Sequence, residues 1–230
     1  MGVKILLADD EPRMHTLVSR IAYDAGYEFV GAEDGYEALE KFREEQPDLV
    51  ILDVMMPGMD GFQLCRRLRE EHAMVPIIFL SAKGDIVDKG VGFDAGGDDY
   101  LVKPFGSEEL AMRIAAHVRR QQRNSSIAIE GIVEYGEVHI DIRKRKVTKR
   151  GELVALTPKE FDILAILASD QGSIFTREQL TLEVWGEAYA GETLGVAVYI
   201  RRIREKLEDD PSKPEYVQTV WREGYRFGDS

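Results

Sequence analysis

The chain has 230 residues, a net charge of −12, 44% hydrophobic residues, 8 prolines and one cysteine, Cys65. That length exceeds one ordinary domain and suits two. The composition excludes collagen-like, disordered and disulfide-stapled classes, and no apolar run reaches the roughly 18 residues that span a bilayer. The apolar stretch 1–8 is too short for a secretory signal, so a reduced, cytoplasmic setting without membrane attachment is expected.

Residues 3–103 alternate short apolar runs with longer helical periods. Runs at 5–8, 29–30, 49–52, 77–80 and 100–102 are rich in Val and Ile and do not alternate, which predicts strands buried on both faces. Helical stretches lie near 12–25, 35–46, 60–72 and 85–95, with another after 106; Gly26 suits a C-cap and Pro47 stops the second helix. Five βα units predict a parallel sheet covered by helices on both sides. Residues 1–120 form this first domain, and the polar, non-periodic stretch around 121–132 reads as a linker.

Residues 133–230 follow a different pattern. Alternation at 138–142, then 146–148 and 153–156, predicts an antiparallel meander. Thr157-Pro158-Lys159-Glu160 is a capping box opening a helix to about 169. Thr176-Arg177-Glu178-Gln179 repeats the box, and Gly186 ends that helix. A third helix is expected from about 192 to 208, followed by a hairpin over 217–227. Three helices and a hairpin predict an α+β winged helix-turn-helix.

In an open parallel sheet, ligands bind beyond the carboxyl ends of strands, where strand order switches. Here four expected strands end in Asp9-Asp10, Asp53, Ser81 and Lys103. Three converging carboxylates repel and need a cation; their hard oxygens suit Mg²⁺. Asp53 can act as a nucleophile and accept a phosphoryl group as an acyl phosphate, with Mg²⁺ and Lys103 neutralising the charge and Ser81 donating to the phosphate oxygens. Gly90-Val91-Gly92 and Gly96-Gly97 do not make a dinucleotide fingerprint, because the spacing is off by one and no strand directly precedes them.

Across 3–120, the strings Asp9-Asp10-Glu11-Pro12, Leu52-Asp53-Val54-Met55-Met56-Pro57-Gly58-Met59-Asp60-Gly61, Leu80-Ser81-Ala82 and Asp98-Asp99-Tyr100-Leu101-Val102-Lys103-Pro104-Phe105 resemble the receiver domain of two-component response regulators. The resemblance implies a flavodoxin-like fold with Asp53 as phospho-acceptor. It implies Mg²⁺ held by Asp10, Asp53, the Met55 carbonyl and, through water, Asp9. Ser81 and Tyr100 would form a switch pair, Tyr100 swinging inward as Ser81 moves onto the phosphate, and Lys103-Pro104 would be cis.

In the third helix of the second half, Val196, Ile200, Ile203 and Leu207 share one face and should meet the core. The opposite face would show Leu194, Val198, Arg201, Arg202 and Glu205, flanked by Arg204 and Lys206. Such a face suits guanine edges, thymine methyls and phosphates in a major groove. The run 200–211, with Thr219-Val220, Gly224-Tyr225-Arg226-Phe227 and Leu156-Thr157-Pro158-Lys159-Glu160-Phe161, resembles the effector domain of the OmpR/PhoB family. The resemblance implies a recognition helix, a wing offering Thr219, Arg222 and Arg226 near the minor groove, and a loop around 184–192 touching RNA polymerase. Two departures stand out. Leu194-Gly195-Val196-Ala197 replaces the family's Arg-Thr-Val-Asp, and Gly195 would weaken the helix by about 1 kcal/mol against Ala. Trp221-Arg222 replaces Arg-Gly in the wing.

The resemblance also implies dimerisation on phosphorylation through cross-subunit ion pairs, for which the chain offers Lys89, Asp98, Asp99, Glu109, Arg113 and Arg120; a further pair at Asp94 and Ala115 cannot form. The expected function is a phosphorylation-dependent transcriptional regulator that takes its phosphoryl group from a sensor histidine kinase and binds promoter DNA as a homodimer. It would not be an enzyme beyond slow self-dephosphorylation. Two rivals stay open here. An Asp-nucleophile phosphohydrolase would want a cap domain and a second Asp where Met55 stands. A protein-binding adaptor whose winged helix never touches DNA would show no salt-dependent DNA affinity.

Overall fold

A computed structural model describes residues 2–71, 74–82, 95–124, 131–186, 189 and 195–228, with the backbone alone for 120–124. The chain divides into two compact units, Met1–Gln121 and Gln122–Ser230.

The first unit runs β1 (Lys4–Ala8), α1 (Pro12–Asp24), β2 (Glu28–Ala32), α2 (Gly35–Glu45), β3 (Leu49–Asp53), α3 (Gly61–Glu70), β4 (Ile77–Ala82), β5 (Asp99–Lys103) and α4 (Ser107–Asn124). The strands form one parallel sheet in the order β2-β1-β3-β4-β5. Ile5, Leu7, Leu49, Ile51, Ile78 and Leu80 face α1 and α4, which contribute Val18, Ala22, Leu110 and Ile114 to the same core. Because strand side chains alternate, Leu6, Val50, Leu52 and Phe79 face the other way, and Phe79 meets Phe62 of α3 edge-on. Burial on both faces explains the unbroken apolar runs.

The chain leaves β1 for β2 and then crosses back to β3. The carboxyl ends of β1 and β3 therefore flank the switch in strand order. Helix α3 is pressed against the end of β3: a Cβ on Gly61 would lie 2.2 Å from the Asp53 carbonyl oxygen. Asp60 caps α3 through a reciprocal box with Gln63, which holds that helix start in place.

The second unit opens with an antiparallel sheet of β6 (Ile132–Tyr135), β7 (Val138–Asp141), β8 (Lys146–Lys149) and β9 (Glu152–Val154) in sequential order. Three helices follow, α5 (Pro158–Ser169), α6 (Arg177–Trp185) and α7 (Val196–Leu207), and then the hairpin of β10 (Val217–Val220) and β11 (Gly224–Phe227). Both expected capping boxes form, on Thr157 and Thr176, and Gly186 closes α6 at φ 92°.

Several elements differ from the sequence expectation. Helix α4 continues through 121–124, where a linker was expected, because Gln and Arg are strong helix formers even when polar. Strand β6 starts at Ile132, inside the same expected linker; its inward pair, Val133 and Tyr135, is too short a pattern to stand out. Gly195 is not inside α7. It is the N-cap, at φ 41°, a left-handed position that glycine adopts without steric penalty, so the expected weakening of the helix does not arise. Of the helix expected at 85–95, residues 85–94 lie outside the described residues.

Gly61→Ala should destabilise the first unit by roughly 1–3 kcal/mol, since the methyl group meets backbone that cannot yield without moving β3. Thermal unfolding of the variant against wild type measures this.

Candidate functional site

At the switch in strand order, β1 delivers Asp9 and Asp10 and β3 delivers Asp53. A carboxylate oxygen from each lies within 4.8 Å of the others. Asp9 and Asp53 are buried and Asp10 is exposed. Lys103, the last residue of β5, reaches across β4 and donates from Nζ to Asp9 Oδ2 and to Asp53 Oδ2, both at 3.1 Å. The peptide bond after it, Lys103–Pro104, is cis, as the sequence resemblance implies. The Glu11 amide donates to Asp9 Oδ1 at 2.8 Å, which fixes that carboxylate, and the Met55 amide approaches Asp53 Oδ1 at 3.4 Å.

Burial pushes the Asp53 carboxyl above its ordinary value; Lys103 pulls it back and Asp9 pushes it up again. Burial draws the Lys103 ammonium down, but Asp53 and Asp9 together carry it above its ordinary value. One amine cannot balance three carboxylates. The donor set, hard oxygens with surplus negative charge and one exposed member, fits a divalent cation.

Ser81 lies on β4 beside Asp53 and is fully buried, its Oγ 3.4 Å from the Ala82 carbonyl. Tyr100 on β5 is only 4% exposed and packs against Phe79. The ring expected to swing inward already lies inward in this structure. Met55 is exposed beside Asp53.

The residues expected to pair with a second copy are placed differently from one another. Asp98 and Asp99 are fully buried. Asp98 Oδ2 accepts from Arg69 at 2.7 Å and from the Ile77 amide at 2.8 Å, while the Asp98 amide donates to the Ile77 carbonyl. That reciprocal clamp sets the start of β5. Asp99 Oδ1 accepts from Arg113 of α4 at 2.9 Å, and His117 Nε2 lies 3.5 Å from Asp99 Oδ2. Arg113 also donates to Glu109, one helical turn away. Lys89 and the Arg120 side chain lie outside the described residues.

In the second unit, Val196, Ile200, Ile203 and Leu207 are buried as expected, joined by Tyr199. Arg201 is exposed and faces Glu205 at 3.4 Å, and Val198 is half-buried. Arg202 does not stand on the open face. It is largely covered and points to Glu160 Oε1 at 3.6 Å, while Lys206 donates to Glu160 Oε2 at 2.6 Å. Glu160 is fully buried and also completes the capping box on the Thr157 amide. Arg204 donates to the Val217 carbonyl and to Thr219 Oγ1, each at 2.8 Å, and burial lowers its pKa. Arg226 donates to Gln218 across the hairpin. Arg222 sits at the hairpin tip with its guanidinium over the Trp221 ring.

Two anchoring groups escaped the sequence reading. Glu160 is legible as a capping residue, but its pairing with α7 spans the helix packing and leaves no local signal. Glu208, just past α7, accepts from the backbone amides of Glu215, Tyr216 and Val217 and so ties the helix end to the wing. A lone acidic residue before Asp209-Asp210-Pro211 gives no hint of that.

A carboxyl whose folded pKa lies above its unfolded value favours folding most at low pH, and that contribution fades as pH rises through the folded value. Asp53 is such a group. Asp53→Asn should therefore unfold at a higher temperature than wild type in metal-free buffer near neutral pH. The gap should close as pH falls into the ordinary carboxylate range. Thermal melts of both proteins from neutral to acidic pH read this difference.

Residues 5–115 match the response regulator receiver domain family and residues 151–227 match the family of transcriptional regulatory protein C-terminal domains. The chain is 40% identical over 228 residues to the DNA-binding response regulator MtrA of Mycolicibacterium smegmatis, covering 99% of this chain and 98% of the relative. It is 44% identical over 231 residues to the probable transcriptional regulator ycf27 of Porphyra purpurea, covering 97% of this chain and 94% of the relative. Among solved structures, a RitR mutant superposes with a TM-score of 0.83 at 29% identity, covering 100% of both chains. DrrB, a Thermotoga maritima OmpR/PhoB homolog, superposes at 0.53 with 32% identity, covering 99% of this chain and 100% of DrrB. With an acidic crevice at the strand switch of the first unit and three helices and a hairpin in the second, the chain belongs to the OmpR/PhoB family of DNA-binding response regulators, a receiver domain followed by a winged helix domain.

Proposed function

We propose that Asp53 is the phospho-acceptor of a receiver spanning 1–120, joined through 121–132 to a winged helix domain over 133–230. The observation that carries this reading is the Lys103 ammonium shared between Asp9 and Asp53 at the switch in strand order. It is a cation already stationed where new negative charge would appear.

Asp53 attacks the phosphorus of a phosphohistidine on a sensor kinase. The phosphorus–nitrogen bond breaks, its electron pair stays on the imidazole, and an acyl phosphate forms on Asp53. Asp10, Asp53, the Met55 carbonyl and, through water, Asp9 would hold Mg²⁺, which would supply charge neutralisation on the phosphoryl oxygens. Lys103 turns from the carboxylates to the phosphoryl group. Ser81 donates its hydroxyl to a phosphoryl oxygen, and the buried Tyr100 holds the inward position that this movement favours. Slow hydrolysis of the acyl phosphate resets the receiver.

The phosphorylated receiver then pairs with a second copy through Lys89, Glu109, Arg113 and Arg120. Asp98 and Asp99 stand behind that face and hold Arg69 and Arg113 in place. Two linked winged helices engage two half-sites, and the second contact gains from effective concentration. Within each, Val198 and Arg201 face base edges in the major groove. Lys206, Thr219, Arg222 and Arg226 line the backbone and minor-groove side, joined by Arg202 and Arg204 if they leave Glu160 and β10 to reach it, and the loop around 184–192 meets RNA polymerase.

Treatment with a small-molecule phosphodonor and Mg²⁺ should raise the affinity of the full chain for promoter DNA by about tenfold or more. Asp53→Asn should show none of that gain, and chelation of the metal before donor treatment should remove it from wild type. Mobility-shift titrations on one duplex measure all three.

A further inference from the structure

Helix α1 carries an imidazole that the phosphoryl transfer described above does not use. His15 Nε2 lies 2.6 Å from the carbonyl oxygen of Asp9. A carbonyl only accepts, so Nε2 carries the proton and donates it to this bond. The strand pairing explains why the carbonyl is open to a side chain. The Asp9 amide donates to the Ala32 carbonyl at 3.1 Å, and β2 ends at that residue. Within a strand the amide and carbonyl of one residue point to the same side. The Asp9 carbonyl therefore faces the end of β2, where pairing has stopped, and the imidazole stands in for the next amide.

The seat of the ring is built from both sides. A Cβ on Gly31 would lie 2.5 Å from His15 Nδ1, so β2 keeps room for the imidazole by carrying no side chain there. Phe29 of β2 meets the ring edge-on, with centroids 6.2 Å apart at 90°. Lys41 of α2 donates to the Gly31 carbonyl at 2.5 Å and pairs with Glu37 at 2.6 Å, which holds β2 against α2. On α1, Met14 and Val18 flank His15 and are packed into the core.

Asp9 is thus tied at each polar group: its amide by Ala32, its carboxylate by the Glu11 amide and Lys103, its carbonyl by His15. Asp10 differs. It is exposed, and among the described residues no hydrogen bond or ion pair fixes its carboxylate. Its direction is set by the peptide plane that joins it to Asp9, and that plane is what His15 holds. We propose that His15 is a positioning residue for the divalent-cation site, aiming Asp10 at Asp9 and Asp53 through the Asp9–Asp10 peptide. Groups outside the ligand set orient the ligands in this way without touching the ion. The proposal rests on the reading of Asp9, Asp10 and Asp53 as that site.

The test titrates the full chain with Mn²⁺, a carboxylate-binding ion whose free concentration is read by electron paramagnetic resonance, and displaces it with Mg²⁺. His15→Phe keeps a ring in the seat and removes the donor; its affinity for both ions should fall about tenfold. His15→Gln carries an amide N–H at a similar reach and should recover most of that loss. Gly31→Ala drives the imidazole off the carbonyl and should match His15→Phe. Thermal unfolding in metal-free buffer is read alongside, because a residue serving stability alone would lower the unfolding temperature and leave the affinity unchanged. Wild-type affinity in His15→Phe or in Gly31→Ala, or a His15→Gln as weak as His15→Phe, overturns the proposal. Wild-type affinity in Asp10→Asn overturns the reading of the metal site, and the proposal with it.

Discussion

A single ammonium held between two buried carboxylates organises the first unit. Asp9 and Asp53 come from neighbouring strands β1 and β3, and parallel pairing forces their ends together whether or not their charges agree. Lys103 answers from β5, two strands beyond β3. The charges do not balance, since Asp10 adds a third negative group, while among the described residues the ion pairs to this cluster come from Lys103. Binding a hard divalent ion would offset that imbalance, and a phosphoryl group on Asp53 would add to it, so the second depends on the first. The close seat of α3 on the Asp53 carbonyl means that the strand end cannot drift to relieve it.

The second unit places its own buried charges differently. Glu160 is fully enclosed and serves three neighbours: the start of α5, Lys206 and Arg202. Removing one member of such a cluster leaves the others without compensation, which is why buried carboxylates of this kind orient as much as they stabilise. The consequence falls on α7. Part of its positive charge is held by the domain itself, and the freely exposed basic surface is narrower than the count of arginines suggests.

Much of this architecture was legible because its signals are local. Apolar runs without alternation marked the doubly covered strands, and polar residues at their ends marked the crevice. Thr157 with Glu160, and Thr176 with Gln179, announced two helix starts by side chains that reach only three residues. What escaped depends on distant parts of the chain. The partners of Arg202 and Arg204 lie on α5 and β10, so a helical projection alone placed those side chains in the open. The resemblance assigns Asp98 and Asp99 to cross-subunit ion pairs; their burial follows from Arg69 and Arg113, which separate helices supply from distant parts of the chain. Gly195 looks like an interior glycine in the sequence because a helix boundary that shifts by a few residues turns an interior position into a cap.

The carboxylate of Glu208 has a mechanical meaning. By gathering three successive amides it welds the end of α7 to the root of the hairpin, and Arg204 adds a second rivet a turn earlier. Helix and hairpin then behave as the two jaws of a fixed caliper. The span between them is set by the protein, so a duplex engaged by both would have to take up any mismatch in helical pitch by twisting or bending.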